Sequence, residues 1–596
     1  MAVLFPDIEI IKKSKPYPTE GEMTLVNKLT EELDDSYNIY FQPFLDGDNP
    51  DIVILNKLGG VFIIEVKDWN MNNYTFNKFE NNYGEFKLVK NRCTVGNPFE
   101  QVTKYKNNIF GMHIEELYID KEKNLQLFGQ LVKVGVYFHK ESEYVVNSLF
   151  HTNLKNLKYI DKWGYDSDIS EEIVNSIGNR CRYMNDKLYA EFHRLFKPAF
   201  HKFEDGIDIN MSEKQKILSI SKPNSNVKIK GVAGSGKTLV LANRAVSATK
   251  RTGERVLILT FNITLKNYIK DKISLVRENF HWDNFYITNY HSFISNEIKK
   301  LGGMKGIDRY NDKQLKDFFE QRNSEIDRFY TILIDEGQDF EKIWFENLKD
   351  NFLVENGEFV IFADEKQNIY DRELDSDKKT VTNIIGRWNE LKQSFRMNND
   401  IFNLAIKFQK HFLENKYNID EVCVEQLSLL TVQQDIKYEF NCNLTYLDIF
   451  NKVLKYIKEK SIHNNDVCIV GTEIEPLREL EYISRTKYNF KFERAIETKE
   501  EYEFFKNKNY NSKEKVETLR KNRKRHFYLD CGKMKIATIH SFKGWEIGTL
   551  VVIIDTNEES LNYELVYTAL TRCTKNLLIF NRGNEALDDF FKGEIL

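Results

Sequence analysis

Gly231-Val232-Ala233-Gly234-Ser235-Gly236-Lys237-Thr238 reads G-x-x-x-x-G-K-[ST], a phosphate-binding loop. The run before it, Val227-Lys228-Ile229-Lys230, alternates as a short strand does. Leu239-Val240-Leu241-Ala242-Asn243-Arg244-Ala245 continues as a helix. Glycines in that strand–loop–helix setting let backbone N–H groups curl around phosphate oxygens at a helix N-terminus, where the dipole favours negative charge. Lys237 is placed to reach β- and γ-phosphates, and the Thr238 hydroxyl to bind Mg²⁺. The competing reading is a glycine-rich turn with no ligand. The fold class that follows is α/β.

At 596 residues the chain is too long for one core, and roughly three or four domains is the expectation. Hydrophobic content of 41% and charged content of 30% are those of an ordinary soluble protein. No apolar run approaches the length of a membrane span, and Met1-Ala2-Val3-Leu4-Phe5-Pro6 lacks the pattern of a signal peptide. The seven cysteines include no C-x-x-C, which suggests neither a zinc site nor a disulfide framework and fits a reducing cytoplasm. A net charge of −4 supplies no global field toward nucleic acid, so any such contact must come from local grooves.

Phosphate loops serve kinases, GTPases, transporters and motors alike, so the segments downstream decide between them. Thr331-Ile332-Leu333-Ile334-Asp335-Glu336-Gly337-Gln338-Asp339 is an apolar strand ending in acids. Asp335 sits where a strand-end carboxylate binds Mg²⁺, and Glu336 where a base polarises the attacking water. Phe359-Val360-Ile361-Phe362-Ala363-Asp364-Glu365-Lys366-Gln367-Asn368-Ile369-Tyr370 is a second buried strand ending in polar groups, with Gln367 as a γ-phosphate sensor.

These runs, DEGQD and ADEKQNIY, resemble motifs II and III of UvrD-like superfamily 1 helicases. The other motifs follow in order: Thr260-Phe261-Asn262, Thr288-Asn289-Tyr290-His291-Ser292-Phe293, Gln393-Ser394-Phe395-Arg396, Ala537-Thr538-Ile539-His540-Ser541-Phe542-Lys543-Gly544-Trp545-Glu546, and Val566-Tyr567-Thr568-Ala569-Leu570-Thr571-Arg572. Met211-Ser212-Glu213-Lys214-Gln215 is similar to the family's glutamine motif. The resemblance implies ATP held between two RecA-like domains. Gln215 would bond the adenine edge and Phe395 would stack on it, where the family usually has tyrosine. Glu546 would join the nucleotide site, and Arg396 and Arg572 would reach the γ-phosphate from the second domain. Asn262, His291, Phe293, Thr538 and His540 would line a single-strand path. His291 and His540 also read as structural histidines. Only residues 263–330 and 397–537 fill the gaps where larger helicases carry subdomains 1B and 2B, which argues against processive unwinding. The motif around Lys543 lies nearer the 3′→5′ branch.

Near the N-terminus, Pro50-Asp51-Ile52-Val53-Ile54-Leu55 and Gly60-Val61-Phe62-Ile63-Ile64-Glu65-Val66-Lys67 read as a hairpin. A turn centred near Leu58 sets Asp51 across from Glu65, with Lys67 on the same face. Two carboxylates there suit Mg²⁺ or Mn²⁺, and the lysine suits an attacking water or a phosphodiester. Such a pattern is also common in solvated hairpins. A helix opening at Glu20-Gly21-Glu22 and a second from Asn97, with Gln101 and Tyr105 on one face, extend the set. Together these residues resemble the PD-(D/E)xK nuclease superfamily, and specifically its nuclease-related domain, NERD. The resemblance implies metal ligation by Glu22, Asp51 and Glu65, and catalysis by Asp51, Glu65, Lys67 and Gln101, with Tyr105 matching the RecB-like extension. A degenerate fold that only binds DNA is the competing reading.

The expected layout is a nuclease-like α/β domain at 1–160 and a helical connector at 161–210. RecA-like domain 1A would span 211–388 with a small insertion near 265–328. Domain 2A would span 389–596 with a rudimentary insertion near 480–530. The charge run Arg520, Lys521, Arg523, Lys524 and Arg525 reads equally as a phosphate contact or a solvated loop. The expected function is a cytoplasmic, ATP-driven DNA motor with metal-dependent cleavage, in anti-phage defence or repair. A homo-oligomer or a defence-system protein is the expected further partner. A DNA-stimulated ATPase with a nuclease-like clamp, and an ATP-gated interaction switch, are the alternatives.

Overall fold

The computed structural model describes residues 1–13, 17–43, 45, 48–77, 83–90, 95–110, 114, 117, 129–150, 155–196, 211–276, 280, 284–302, 307–308, 310–382, 384–392, 399–419, 435–507, 512–528, 531–555 and 561–595. Two compact units divide the chain, Met1–Phe200 and His201–Leu596.

In the first unit the apolar runs become a mixed sheet. Its strands are β1 (Val3–Phe5), β2 (Tyr37–Phe41), β3 (Ile52–Asn56), β4 (Gly60–Lys67), β7 (Val132–Phe138) and β8 (Asp161–Gly164), in the order β1-β2-β3-β4-β7-β8. A small hairpin of β5 (Tyr74–Asn77) and β6 (Glu85–Leu88) stands beside it. The β3–β4 turn is set by Asn56, whose Oδ1 accepts from the Leu58 and Gly59 amides at 2.9 Å each. Ile52 pairs with Ile64 and Asn56 with Gly60, the register that sets Asp51 opposite Glu65. Both faces of the hairpin are covered, which is why its residues are near-continuously apolar. The helix Glu20–Glu32 buries Leu25, Val26 and Leu29 against Ile52, Ile54 and Ile64. The helix Pro98–Asn108 buries Val102 and Tyr105 against Val53, Ile63 and Val134.

The expected connector at 161–210 is corrected. β8 extends the sheet beside β7, and the helices Ile169–Ile177 and Asp186–Phe196 bury Ile173 and Phe192 in the same two cores. Their apolar stripes give them a sheet to cover, so this stretch belongs to the N-terminal unit. Residues 197–210 lie outside the described residues.

The second unit holds two parallel sheets, as the RecA-like expectation requires. The first orders β9 (Ser225–Gly231), β10 (Val256–Thr260), β11 (Phe285–Asn289), β12 (Phe329–Ile334), β13 (Leu353–Ala363) and β14 (Trp388–Leu391) as β11-β10-β12-β13-β9-β14. The second orders β15 (Asp435–Phe440), β16 (Val467–Gly471), β17 (Glu493–Arg494), β18 (Lys535–Thr538), β19 (Ile547–Ile554) and β20 (Cys573–Asn581) as β15-β20-β19-β16-β18-β17. Neither supposed insertion is separate from its sheet. β11 lies parallel to β10, and β17 lies parallel to β18, so 265–328 and 480–530 each contribute an edge strand. The basic run lies on the helix Ser512–Arg525 and not in a loop. Arg520 donates to Glu497 and Arg523 to Glu501, which leaves Lys521 and Arg525 as its exposed members. Among the described residues no helix is long and apolar enough to cross a membrane.

Candidate active sites

β12, β13 and β9 are neighbours, so the residues that follow their C-terminal ends come together. The phosphate loop leaves β9, Asp335 follows β12 and Asp364 follows β13. Gly234 and Gly236 sit at φ +72° and +78°, open to glycine at little cost. Gly236 caps the helix Lys237–Thr252 with no side chain, which leaves that helix's first N–H groups available to an anion. A Cβ on Gly231 would stand 2.4 Å from Ser235 Oγ. That hydroxyl is buried with no hydrogen-bond partner among the described residues. Lys237 Nζ donates to the Gly231 carbonyl at 2.7 Å and lies 3.4 Å from Asp364 Oδ2; the neighbouring Thr238 is half-buried.

The acids in the cleft are strongly biased by their surroundings. Burial and the adjacent Glu336 push Asp335 up to about 7, against the pull of Lys237 and Arg572. At Asp364 burial acts upward too, but Lys237, Lys366 and Arg572 outweigh it and hold the carboxyl below its ordinary range. Arg572, carried by the second sheet's domain, therefore faces both acids. Its Nε is buried with no hydrogen-bond partner among the described residues. Glu336 sits at φ +52° and accepts from Gln338 Nε2 at 2.5 Å. Gln338 Oε1 in turn accepts the Asp364 amide at 2.9 Å. Gln367 is fully buried and donates from Nε2 to Asp364 Oδ2 at 2.9 Å. Asp364 was legible only as part of a motif run; a strand-end acid beside a phosphate-loop lysine is the signal that marks it.

Several of the expected site residues have protein partners of their own. Gln215 Oε1 accepts the Ser212 amide at 2.8 Å and its Nε2 donates to the Ser235 carbonyl at 2.9 Å. Both ends of the amide thus hold the N-cap and the phosphate loop. Glu546 accepts from Tyr268 at 3.2 Å. Asn262 brackets the two lobes: its Nδ2 points at the carbonyls of His540, Ser541 and Lys543 at 3.0–3.3 Å, so it is turned inward and not toward a strand of DNA. Phe293 is fully buried between Tyr286, Phe329 and Phe352. Thr538 caps the helix Ile539–Phe542. Phe395 and Arg396 lie outside the described residues.

His291 and His540 do meet an aromatic surface. Phe261 lies 6.1 Å from the His291 ring and 4.7 Å from Tyr370, and Tyr370 lies 6.0 Å from His540. Arg372 stands 5.9 Å over Phe261 and 5.3 Å over Trp344. Burial, with Lys524 and Lys543, holds the His540 imidazole down to about 4, so it is neutral at pH 7. Beneath this surface Lys543, 1% exposed, donates to Asp339 at 2.6 and 2.8 Å and to the Gln367 carbonyl at 2.5 Å. That buried pair ties the two lobes at the edge of the phosphate cleft.

In the N-terminal unit, Lys67 Nζ donates to Glu65 Oε1 at 2.6 Å, and the Val66 amide donates to Asp51 Oδ2 at 2.7 Å. Glu22 accepts the Thr19 amide at 2.7 Å and Gln42 Nε2 at 2.9 Å. Burial and then Asp51 push Glu22 up to about 7, and burial and then Glu65 push Asp51 to about 7. Gln101 donates to the Tyr105 hydroxyl at 2.6 Å, and that hydroxyl donates to the Asn49 carbonyl at 3.3 Å. Burial, with Glu65, Asp48 and Asp51 nearby, raises the Tyr105 pKa well above its ordinary value. Sequence reasoning missed Gln42 and the buried Asp48, which Lys104 and Asn108 hold. Neither carries a motif: folding brings Gln42 to Glu22, and Asp48, three residues ahead of Asp51, is marked only by the distant Lys104 and Asn108 that hold it.

Glu22, Asp51 and Glu65 adjoin as a row with Asp51 in the middle. Among the described residues no group of three or more His, Cys, Asp or Glu is close enough to hold a metal ion. In the described structure each outer carboxylate has another partner: Lys67 engages Glu65, while Thr19 and Gln42 hold Glu22. The donors still suit a hard cation, since all three are oxygen ligands, and burial followed by mutual repulsion raises two of them.

A family model for a nuclease-related domain matches residues 18–125, and one for an AAA domain matches residues 214–373. A search of curated proteins gives no match. The first match covers the hairpin site and the second the first lobe's share of the phosphate cleft, while His540, Lys543 and Arg572 lie outside both; such domains imply a DNA partner. The chain joins a nuclease-related NERD domain to an AAA domain lying in the region of the UvrD-like helicase motifs.

Proposed function

We propose that the protein is an ATP-driven DNA motor coupled to metal-dependent DNA cleavage. The observation that carries this reading is the cleft in which Lys237, Asp335, Asp364, Gln367 and Arg572 meet, with residues from both lobes. ATP binding would draw Lys237 from the Gly231 carbonyl to the β/γ-phosphates, with the phosphate loop's amides and Ser235 Oγ on their oxygens. Thr238 and Asp335 are the residues for Mg²⁺, which when bound neutralises charge on the phosphates. Glu336 orients and deprotonates the attacking water while Arg572 stabilises the phosphoryl group. Hydrolysis then depends on lobe closure. The aromatic surface at Phe261, His291, Tyr370 and His540 suits unpaired bases.

At the hairpin, Lys67 would orient a water against a phosphodiester, and Asp51, Glu65 and Glu22, drawn closer together, would be the cation ligands. A divalent cation there would lower the pKa of a bound water and offset phosphate charge. We further propose 3′→5′ movement and a role in anti-phage defence or repair. The open row of carboxylates favours one second reading, in which the nuclease-like domain only clamps DNA.

The test is degradation of linear and forked DNA with Mg²⁺ or Mn²⁺, with and without ATP. Cleavage absent from Lys67→Ala, and ATP-responsive only with Lys237 intact, supports the coupled enzyme. No cleavage under any condition, with DNA-stimulated ATPase retained, leaves the clamp.

A further inference from the structure

The segment leaving β4 carries an aromatic pair beside the Lys67–Glu65 pair. Trp69 and Tyr74 stack with ring centroids 4.4 Å apart and planes 15° from parallel. Lys67 Nζ stands 6.0 Å from the centre of the Trp69 ring while it donates to Glu65. Trp69 meets the fully buried Phe86 edge to face at 5.2 Å, so the indole is rooted in the core. Both Trp69 and Tyr74 nevertheless remain half-buried. The segment between them is pinned: the Met71 amide donates to Glu141 Oε1 at 2.6 Å, Asn70 caps the turn Met71–Asn73, and the Val89 amide donates to the Asn73 carbonyl at 2.9 Å. A partly open indole held rigidly next to a cationic side chain is what a nucleotide needs, with a ring for its base and an ammonium for its phosphate.

We propose that Trp69, backed by Tyr74, is a stacking platform for an unpaired base of the strand whose phosphate enters the Glu65–Lys67 site. This rests on the nuclease reading of that site and deepens it by naming the substrate class. A base can lie on Trp69 only when it is out of a duplex stack. Overhangs, gaps and frayed ends are therefore bound in preference to blunt duplex. Base identity matters little, because every base has a π-face.

The test uses the full-length protein with 5-iodouracil placed along a single-stranded overhang. EDTA is present during irradiation so that no strand is cut, and cleavage by the same variants is measured separately with Mn²⁺. Crosslinks at Trp69 or Tyr74, lost in Trp69→Ala and kept in Trp69→Phe, are expected. Overhang cleavage should fall about ten-fold or more in Trp69→Ala, the size of one lost stacking contact, with ATPase unchanged. Crosslinks to the ATPase lobes but none at Trp69 or Tyr74 would overturn the platform. So would equal cleavage of blunt and overhanging ends that is insensitive to Trp69→Ala. Crosslinks at Trp69 without cleavage under any metal would uphold the platform and sink the nuclease reading instead.

Discussion

Gln215 shows how one side chain's partners decide its role. Its amide spans Ser212 and Ser235, and its Nε2 would lie 2.7 Å from a Cβ on Gly236, so it supports the phosphate loop directly. Gln215→Ala should slow ATP and GTP hydrolysis together by about ten-fold, near the effect of one or two lost buried hydrogen bonds. Steady-state rates with both nucleotides check this; a collapse of ATP preference with little loss of rate would restore an adenine contact. On β13, fully buried Glu358 accepts Arg244 at 2.9 and 2.7 Å and also meets Arg251 and Ser221. Removing Arg244 leaves buried Glu358 with the longer Arg251 contact as its remaining cation, so Arg244→Met should cost about 3 kcal/mol. A thermal melt reads this as a lowered transition, and an unchanged melt would contradict it.

At the scale of elements, the turn following β18 is where the second lobe grips the first. Asn262 and Thr264 bond to carbonyls of residues 540–543, Trp545 Nε1 donates to Thr264, and Lys543 reaches Asp339. These contacts join the aromatic surface to the phosphate cleft. Asn262→Ala should therefore lower DNA-stimulated kcat about ten-fold, the scale of one or two hydrogen bonds. The Kd for single-stranded DNA should stay within about two-fold, since Asn262 makes no part of that surface. Titrating ATPase rate against DNA concentration separates the two; a weakened Kd with normal kcat would return Asn262 to the DNA path.

For the whole molecule, both sites gather acids that folding holds near pH 7: Glu22 and Asp51 in one unit and Asp335 in the other. A carboxyl whose pKa is raised on folding stabilises the fold below its ordinary value of about 4, and that contribution is lost as pH climbs through the folded value. At pH 7.5 the larger share of these groups is ionised and crowded, the form that binds a cation. Mg²⁺ or Mn²⁺ should accordingly raise the melting temperature at pH 7.5 and much less at pH 5.5. Fluorimetric melts at the two pH values test it, and equal shifts at both would count against cation sites made of these acids.

How much of this was legible beforehand differed by kind of feature. The phosphate loop, the parallel strands with acids at their ends, and the β3–β4 hairpin register follow from local pattern. Period-2 alternation, glycine at positive φ and an Asn turn are properties of neighbouring residues. Whether Asn262, Phe293 and Thr538 face DNA or the interior was not local. Each sits in a motif, yet burial, a lobe partner or a cap claimed it. Nor did residues 161–196 show in sequence that their apolar stripes cover the N-terminal sheet. Side-chain chemistry set which reactions the chain has the groups for. Only tertiary packing, by choosing each group's neighbours, decided which side chains hold the structure and which stand free to meet a phosphate.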